Sequence, residues 1–223
     1  MTPMQRPLPV RARFATAAVA LSAVAAAVSL ALPCGAVAAA PANAPDASNA
    51  PNAWTLDRLM ATLAQNRSGH ATFTETKYLS IASRPVESSG ELMFAAPDHL
   101  EKRTLSPTPE DLVVEGNRVT VARGGHRYTL ALDQYPEVAA FIESIRATLD
   151  GNRYTLEQLY KVAIAGQGDG WTLTLTPLDA RMLKVVSTIT LDGTRDQLQS
   201  VTIRQADGDH SVMRLRDASA RAR

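Results

Sequence analysis

Cysteine is nearly absent from this chain, which has a single one, Cys34, among 223 residues. A chain with one cysteine forms no internal disulfide, so its stability has to come from an apolar core. The four histidines are widely spaced, and none falls in an H-E-x-x-H or H-x-x-x-H pattern. With so few soft ligands, we expect no metal site and no cofactor.

Motifs of familiar catalytic centres are also missing. The chain has no G-x-S-x-G nucleophile elbow. The acidic segment at 206–210, ADGDH, lacks the ligand spacing of an EF-hand loop and is better explained as a tight hairpin turn. Glu75 and Glu91 are candidates for an acid/base pair that meets across a sheet, although paired or solvated strand charges are the favoured interpretation. We therefore expect no catalytic residue and no enzyme.

The N-terminal region has no acidic residue at all. Three arginines within residues 1–13 precede an uncharged, alanine-rich run over 14–32, and the following GAVA ends in an A-x-A cleavage signal. This pattern predicts a signal peptide over residues 1–38, cleaved after Ala38. An uncleaved anchor is the alternative, because the run approaches the ~20 residues that span a bilayer.

Neither sign of charge dominates the remaining chain. Without the three N-terminal arginines, the chain has 20 basic and 22 acidic residues. This nearly neutral net charge does not indicate nucleic-acid binding. Lipid attachment at Cys34 is disfavoured, because Pro33 precedes it where a small residue is needed. Residues 39–53 are rich in Pro, Ala and Asn and predict a flexible tether. An ordered domain is expected over 54–216, followed by a disordered tail at 217–223.

The first half of the ordered domain combines one helix with strands. Leu56, Leu59, Met60 and Leu63 lie on one face of a helix that ends near Gly69. Runs rich in β-branched and aromatic residues predict strands at 70–81, 89–96, 98–105, 111–122 (a hairpin with Gly116-Asn117 at its turn) and 124–132. Short connections between these strands are typical of an antiparallel meander.

The second half opens with helices. The segment 135–151 has Pro136 at its start and Gly151 past its end, as helices prefer. Its apolar stripe consists of Val138, Phe141, Ile142, Ile145 and Leu149. Thr155 and Gln158 predict a capping box that opens a second, short helix. Strands return at 160–166, 171–177, 183–191, 197–205 and 210–216, with turns predicted at 168–170, Asp192-Gly193 and Asp207-Gly208.

The predicted sheet is too long to stay flat and has to twist and curl, with about three helices covering one face. Leu92 shares a strand face with Phe94, and Leu173 shares one with Leu175, because they occupy alternate positions. Two interpretations fit this alternation. The face is either a plain core beneath the helices or a concave surface that holds an apolar ligand beneath a helical lid. Periodicity does not separate them.

The order of these motifs resembles the LolA/LolB family of periplasmic lipoprotein carriers. HATFTE (70–75) is similar to the family's F-x-Q/E strand, and SSGELMFAAPDHLEKRTLSP (88–107) to its G-x-L-x3-P double strand. EDLVVEGNRVTV (110–121) resembles the hairpin that follows. WTLTLTP (171–177) and LQSVTIRQADGD (198–209) match the late strands. The resemblance extends over residues 54–216.

The resemblance implies a mainly β fold, an unclosed and strongly curved antiparallel β-barrel covered by about three helices. It implies a periplasmic carrier or chaperone that binds the acyl chains of a lipoprotein or other acylated molecule and moves it towards the outer membrane. An inner-membrane donor, an outer-membrane acceptor and a monomeric state are the expected partners and assembly. The alternative is a membrane-tethered docking or structural module that does not transport.

Cavity and lid residues follow from the same resemblance. The expected ligand-binding residues are Phe73, Leu92, Phe94, Leu100, Val119, Leu130, Phe141, Ile142, Ile145, Leu173 and Leu175. The lid is expected at 136–149. In the carriers an arginine before the strand-breaking proline ties down the lid, and here that position is Ala96. The lid is therefore expected to be held mainly by apolar contact, and the cargo to be a lipoprotein or a different acylated molecule.

Overall fold

The computed structural model describes residues 52–218, with the side chain of Glu137 excepted. The predicted signal peptide, Cys34, the tether up to residue 51 and the tail from residue 219 lie outside the described residues. Between residues 52 and 218, no helix has the combination of length and apolar character that crossing a bilayer requires.

Eleven strands form one antiparallel sheet, as the alternating pattern predicts. The strands are β1 Ser68–Tyr78, β2 Val86–Ala95, β3 His99–Ser106, β4 Glu110–Glu115, β5 Arg118–Arg123, β6 His126–Ala131, β7 Tyr160–Gln167, β8 Gly170–Pro177, β9 Val186–Thr194, β10 Gln197–Gln205 and β11 His210–Asp217. Their order is β6-β5-β4-β3-β2-β1-β11-β10-β9-β8-β7. Strands β6 and β7 are the two edges, so the curled sheet stays unclosed, and the predicted fold class is confirmed.

Three helices accompany the sheet. Helix α1 covers Leu56–Leu63 and is capped by Thr55, whose hydroxyl accepts from the Arg58 amide. Helix α2 covers Pro136–Leu149, and Gly151 follows it with a φ of +65°, as the predicted proline start and glycine stop require. Helix α3 covers Arg153–Leu159.

The predicted start of α3 is wrong by one turn. Asn152 is the N-cap, and its side-chain oxygen accepts from the Thr155 amide at 3.1 Å. Asparagine caps a helix as well as threonine does, and it comes directly after the glycine that ends α2. The earlier start also brings Arg153 against Asp57 of α1, where their side chains form an ion pair.

The predicted turn at Asp192-Gly193 is also wrong. Strand β9 continues to Thr194, and the turn falls at Arg195-Asp196, with Arg195 at a φ of 55°. Gly193 lies opposite Trp171, and a Cβ on it would come within 2.1 Å of the indole ring. The indole nitrogen donates to the carbonyl of Arg195 at 2.8 Å. The glycine therefore makes room for an aromatic ring inside a strand instead of forming a turn.

Candidate functional site

The strand register determines which side chains share the face beneath the helices, which we call the inner face. Leu173 pairs with Leu191, Leu191 with Val201, Val201 with Met213, and Met213 with Glu75. Following the pairs across the other strands places the predicted sheet residues on this same face: Phe73, Leu92, Phe94, Leu100, Val119, Leu130, Leu173 and Leu175.

Helices α1 and α3 fill the β7–β9 side of the inner face. Leu173 and Leu175 are fully buried there, in one packed cluster with Leu59 of α1 and Leu156 of α3. These two predicted ligand-binding residues thus lie in a closed core. Their role in binding stays a prediction, and any binding there would require both helices to leave.

The β1–β6 side of the inner face is covered less completely. Leu92, Phe94, Leu100 and Leu130 are half-buried, while Phe73 and Val119 are buried. Gly90 sets the shape of this surface, because a Cβ on it would lie 1.9 Å from the Arg103 carbonyl oxygen and 2.9 Å from the Phe73 ring. Strand β2 therefore approaches β3 and Phe73 closely at that point. The partly open apolar surface is the better candidate for a ligand.

Helix α2 is buried along two stripes. One is the predicted apolar stripe, in which Ile142 is buried and Phe141 and Ile145 are half-buried. The other consists of small side chains that were not predicted to be buried: Ser144, Ala147 and Thr148. Small residues three and four positions apart are the signal that was available for this second stripe.

The second stripe places α2 beside strand β7. Ala147 lies in the same core cluster as Tyr160, the first residue of β7. The phenol of Tyr160 donates to the sulfur of Met182 at 3.5 Å. Burial raises the pKa of the Tyr160 phenol above its ordinary value of 10.0. The phenol therefore stays neutral at physiological pH and packs as part of the core.

An arginine on α2 fastens the helix to the sheet. Arg146 donates to the carbonyl of Asp98 at 3.1 Å and to the carbonyl of Gly116 at 2.7 Å. Asp98 lies in the β2–β3 turn directly after Pro97, and Gly116 lies in the β4–β5 turn. These two hydrogen bonds add a polar contact to the helix, and the expectation that it is held mainly by apolar contact stays a prediction. Ala96 has no side chain that could form such a polar contact, and Arg146 of α2 forms one with the turn that follows Ala96.

A charged cluster also lies on the inner face. Glu75 is only 6% exposed, and it accepts hydrogen bonds from Lys102 at 2.8 Å and from Ser88 at 3.4 Å. The ammonium group of Lys77 is 3.8 Å from the other carboxylate oxygen. The ammonium group of Lys102 also lies 5.0 Å from the centre of the Phe73 ring. The favoured interpretation of Glu75 as a paired strand charge agrees with this geometry.

The hypothetical pair of Glu75 and Glu91 is ruled out by the register. Glu75 pairs with Ser88, whereas Glu91 pairs with Thr72, so the two carboxylates lie on opposite faces of the sheet. Glu91 instead faces His70 at 3.6 Å on the outer side. Within residues 52–218, no three His, Cys, Asp or Glu side chains are grouped in a way that would hold a metal ion.

Two surface pockets lie away from the β1–β6 inner face. One, of about 420 Å³, adjoins Trp54, Arg153 and Gln167, and the other, of about 430 Å³, adjoins Tyr78 and His210. Neither is lined by the predicted apolar residues of β2–β6. A ligand on that part of the inner face would therefore occupy a different place from these two pockets.

Together the curled sheet, the apolar inner face and the helix fastened across it define the class: an unclosed β-barrel with a helical cover, of the kind that lipoprotein carriers have. The chain belongs to the family described as outer membrane lipoprotein carrier protein LolA-like, whose model matches residues 47–223. The resemblance found in the motifs is confirmed. No curated protein matches the sequence significantly.

Several solved structures match this chain at low sequence identity and with TM-scores below 0.5. A LolA superfamily protein from Nitrosomonas europaea is 11% identical, with a TM-score of 0.38 over 74% of this chain and 92% of its own. A chain of the Pseudomonas aeruginosa MucA/MucB complex is 16% identical, with a TM-score of 0.39 over 72% of this chain and 53% of its own. A DUF1329 family protein from Desulfovibrio piger is 11% identical, with a TM-score of 0.40 over 73% and 90%.

Proposed function

We propose that this protein is a periplasmic carrier that binds the acyl chains of a lipoprotein or other acylated molecule between α2 and the β1–β6 inner face. The cargo would pass from an inner-membrane donor to an outer-membrane acceptor. The observation that carries this proposal is the partly covered apolar surface around Leu92, Phe94 and Leu100. Membership of the carrier family supports the same function.

Burial of an acyl chain supplies a suitable free energy. Each methylene removed from water contributes about 0.8 kcal/mol, so ten of them contribute about 8 kcal/mol before the costs of binding. Apolar contact has no directional preference, so the surface can accept chains of different length and structure. A carrier needs this balance, because it has to shield the cargo and then release it.

In this proposal helix α2 moves as one element, and its core contact through Ala147 has to open with it. Its backbone hydrogen bonds are internal, and its fastening to the β2–β3 and β4–β5 turns comes from one side chain, Arg146. The Nε atom of Arg146 is buried and has no hydrogen-bond partner among the described residues. A buried donor without a partner costs free energy, which lowers the work needed to release the side chain.

The docking module remains the second candidate. The packed cluster of Leu173 and Leu175 with α1 and α3 favours it, since a permanently filled barrel has no room for cargo on that side. The two functions differ in what happens at α2. A carrier opens and closes this helix around a ligand, whereas a docking module keeps it as part of a fixed core.

Hydrogen exchange with and without lipid separates the two functions. In the carrier, the amides of α2 exchange faster than those of the central strands β1 and β11, and they slow when a fatty acid is added. The central strands are the internal reference and should not respond to the fatty acid. If α2 is as protected as β1 and stays unchanged with lipid, the docking module is the better account.

A further inference from the structure

The charged side chains of the β1–β6 inner face lie toward one end of the strands. Toward the turns that Arg146 contacts, the inner face presents apolar residues: Phe94, Leu100, Val114, Val119 and Leu130. Toward the other end the polar and charged residues Lys77, Ser88, Lys102, Glu110 and Arg123 lie among the apolar Phe73, Leu112 and Val121. A single surface therefore changes along the strands from apolar to mixed apolar and charged.

The charged end carries an excess positive charge. Glu75 is paired with Lys102 at 2.8 Å, and Arg123 lies 3.5 Å from Glu110. Lys77 is the remaining cation, and its ammonium group stands at 3.8 Å from a carboxylate that already has a closer partner. Both lysines of the cluster keep about a quarter to a third of their side-chain surface exposed, 25% for Lys102 and 30% for Lys77. Their ammonium groups thus have donors left for a ligand.

We propose that the ligand is an anionic amphiphile, with its acyl chains on the apolar end beneath α2 and its acidic headgroup bound by Lys77 and Lys102. This inference rests on the proposed function and adds the chemistry of the headgroup. A phosphate or carboxylate fits the excess charge, because an ammonium group forms its stronger hydrogen bonds with ionised oxygens. A neutral headgroup would leave the extra cation without compensation.

The cluster also explains why a charge is tolerated beside an apolar surface. Lys102 lies over the Phe73 ring, so its stem covers apolar area while its ammonium group reaches Glu75. Glu75 holds Lys102 in place when no ligand is present. Since Lys77 is held less closely, it is the group that an incoming anion engages at the lowest cost.

Calorimetric titration of the full chain with amphiphiles of one chain length tests the headgroup. The probes are dodecyl phosphate, dodecanol and dodecyltrimethylammonium, with inorganic phosphate as the probe without a chain. We expect dodecyl phosphate to bind about tenfold tighter than dodecanol, since one charge-assisted hydrogen bond contributes on the order of the 1.4 kcal/mol that a tenfold change represents. The cationic probe should bind most weakly, and inorganic phosphate should bind far more weakly than dodecyl phosphate.

Two variants with opposite expectations make the test specific. Lys77→Gln leaves the Glu75–Lys102 pair intact and should weaken dodecyl phosphate about fivefold without affecting dodecanol. Glu75→Gln removes the competing carboxylate and should tighten dodecyl phosphate. Lys161→Gln, at an exposed lysine on edge strand β7, is the matched control and should change neither affinity.

The outcomes distinguish this inference from the proposed function. If dodecanol binds as tightly as dodecyl phosphate and Lys77→Gln changes nothing, the headgroup assignment fails and the carrier function stands. If inorganic phosphate binds as tightly as dodecyl phosphate, the cluster is a site for a free anion and the amphiphile is the wrong ligand. If no probe with a chain binds, the carrier function fails and this inference fails with it.

Discussion

Replacing Leu100 with glutamate is expected to lower the affinity for a fluorescent fatty acid by about a hundredfold. Leu100 lies in the apolar end of the inner face, between Phe94 on β2 and Val114 on β4. A carboxylate there has to be buried beside the acyl chain or keep water in the site. Either result costs several kcal/mol, and each 1.4 kcal/mol is about tenfold in affinity.

Leu105→Glu is the matched control for this change. Leu105 is on the same strand, but it is 53% exposed, so a charge there meets water. The affinity of Leu105→Glu should equal that of the parent chain. A Leu100→Glu protein that is folded by circular dichroism and still binds the probe with parental affinity would remove Leu100 from the ligand site.

The second large effect is expected from Arg146→Met. The substitution keeps an unbranched apolar stem in place of the first part of the side chain and removes the donors to the carbonyls of Asp98 and Gly116. A hydrogen bond from a charged donor contributes about 1.5–3 kcal/mol. We therefore expect the amides of α2 to exchange about ten- to a hundredfold faster, while those of the central strands keep their rates.

Arg153→Met controls for the loss of a positive charge. Arg153 is on α3 and is 46% exposed, and it pairs with Asp57 and Glu157 rather than with the sheet turns. Its removal should leave α2 exchange within about twofold of the parent, because exposed pairs contribute little. Equal exchange of α2 in Arg146→Met and in the parent chain would show that apolar contact alone holds the helix.

Much of the fold follows from local patterns in the sequence. The alternation of apolar residues and the short turns are enough to predict strands in the right order, because the side chains of a strand repeat every two residues. The hairpin at Gly116-Asn117 and the limits of α2 follow from the residues at their ends. Nearly all the strands pair with their neighbours in sequence, so the order of the sheet is also local information.

Apart from the start of α3, the errors arise where a residue contacts a distant partner. Asp-Gly pairs are common in turns, so Gly193 was predicted to lie in one. Trp171 on the neighbouring strand instead requires a glycine inside β9. The contacts of Arg146 were not predicted, because its partners are 48 and 30 residues earlier in the chain. Spacing within a helix or strand carries no information about such contacts.

The sequence also does not distinguish the β7–β9 side of the inner face from the β1–β6 side. Leu173 and Leu100 occupy equivalent positions on alternating strands, yet one is fully buried under α1 and α3 and the other is half-buried. The difference depends on where the helices lie, which strand periodicity does not determine. The charged cluster was not predictable from the sequence either. Glu75 and Lys102 are 27 residues apart, and only the register of β1, β2 and β3 brings them together.

Native mass spectrometry of the protein purified without detergent from its own cells tests the carrier function most directly. We expect a fraction of molecules with the added mass of an acylated compound, and this fraction should be lost in Leu100→Glu and retained in Leu105→Glu. A protein that carries no such mass, and gains none after incubation with dodecyl phosphate or a fatty acid, would show that the inner face does not hold an acyl chain.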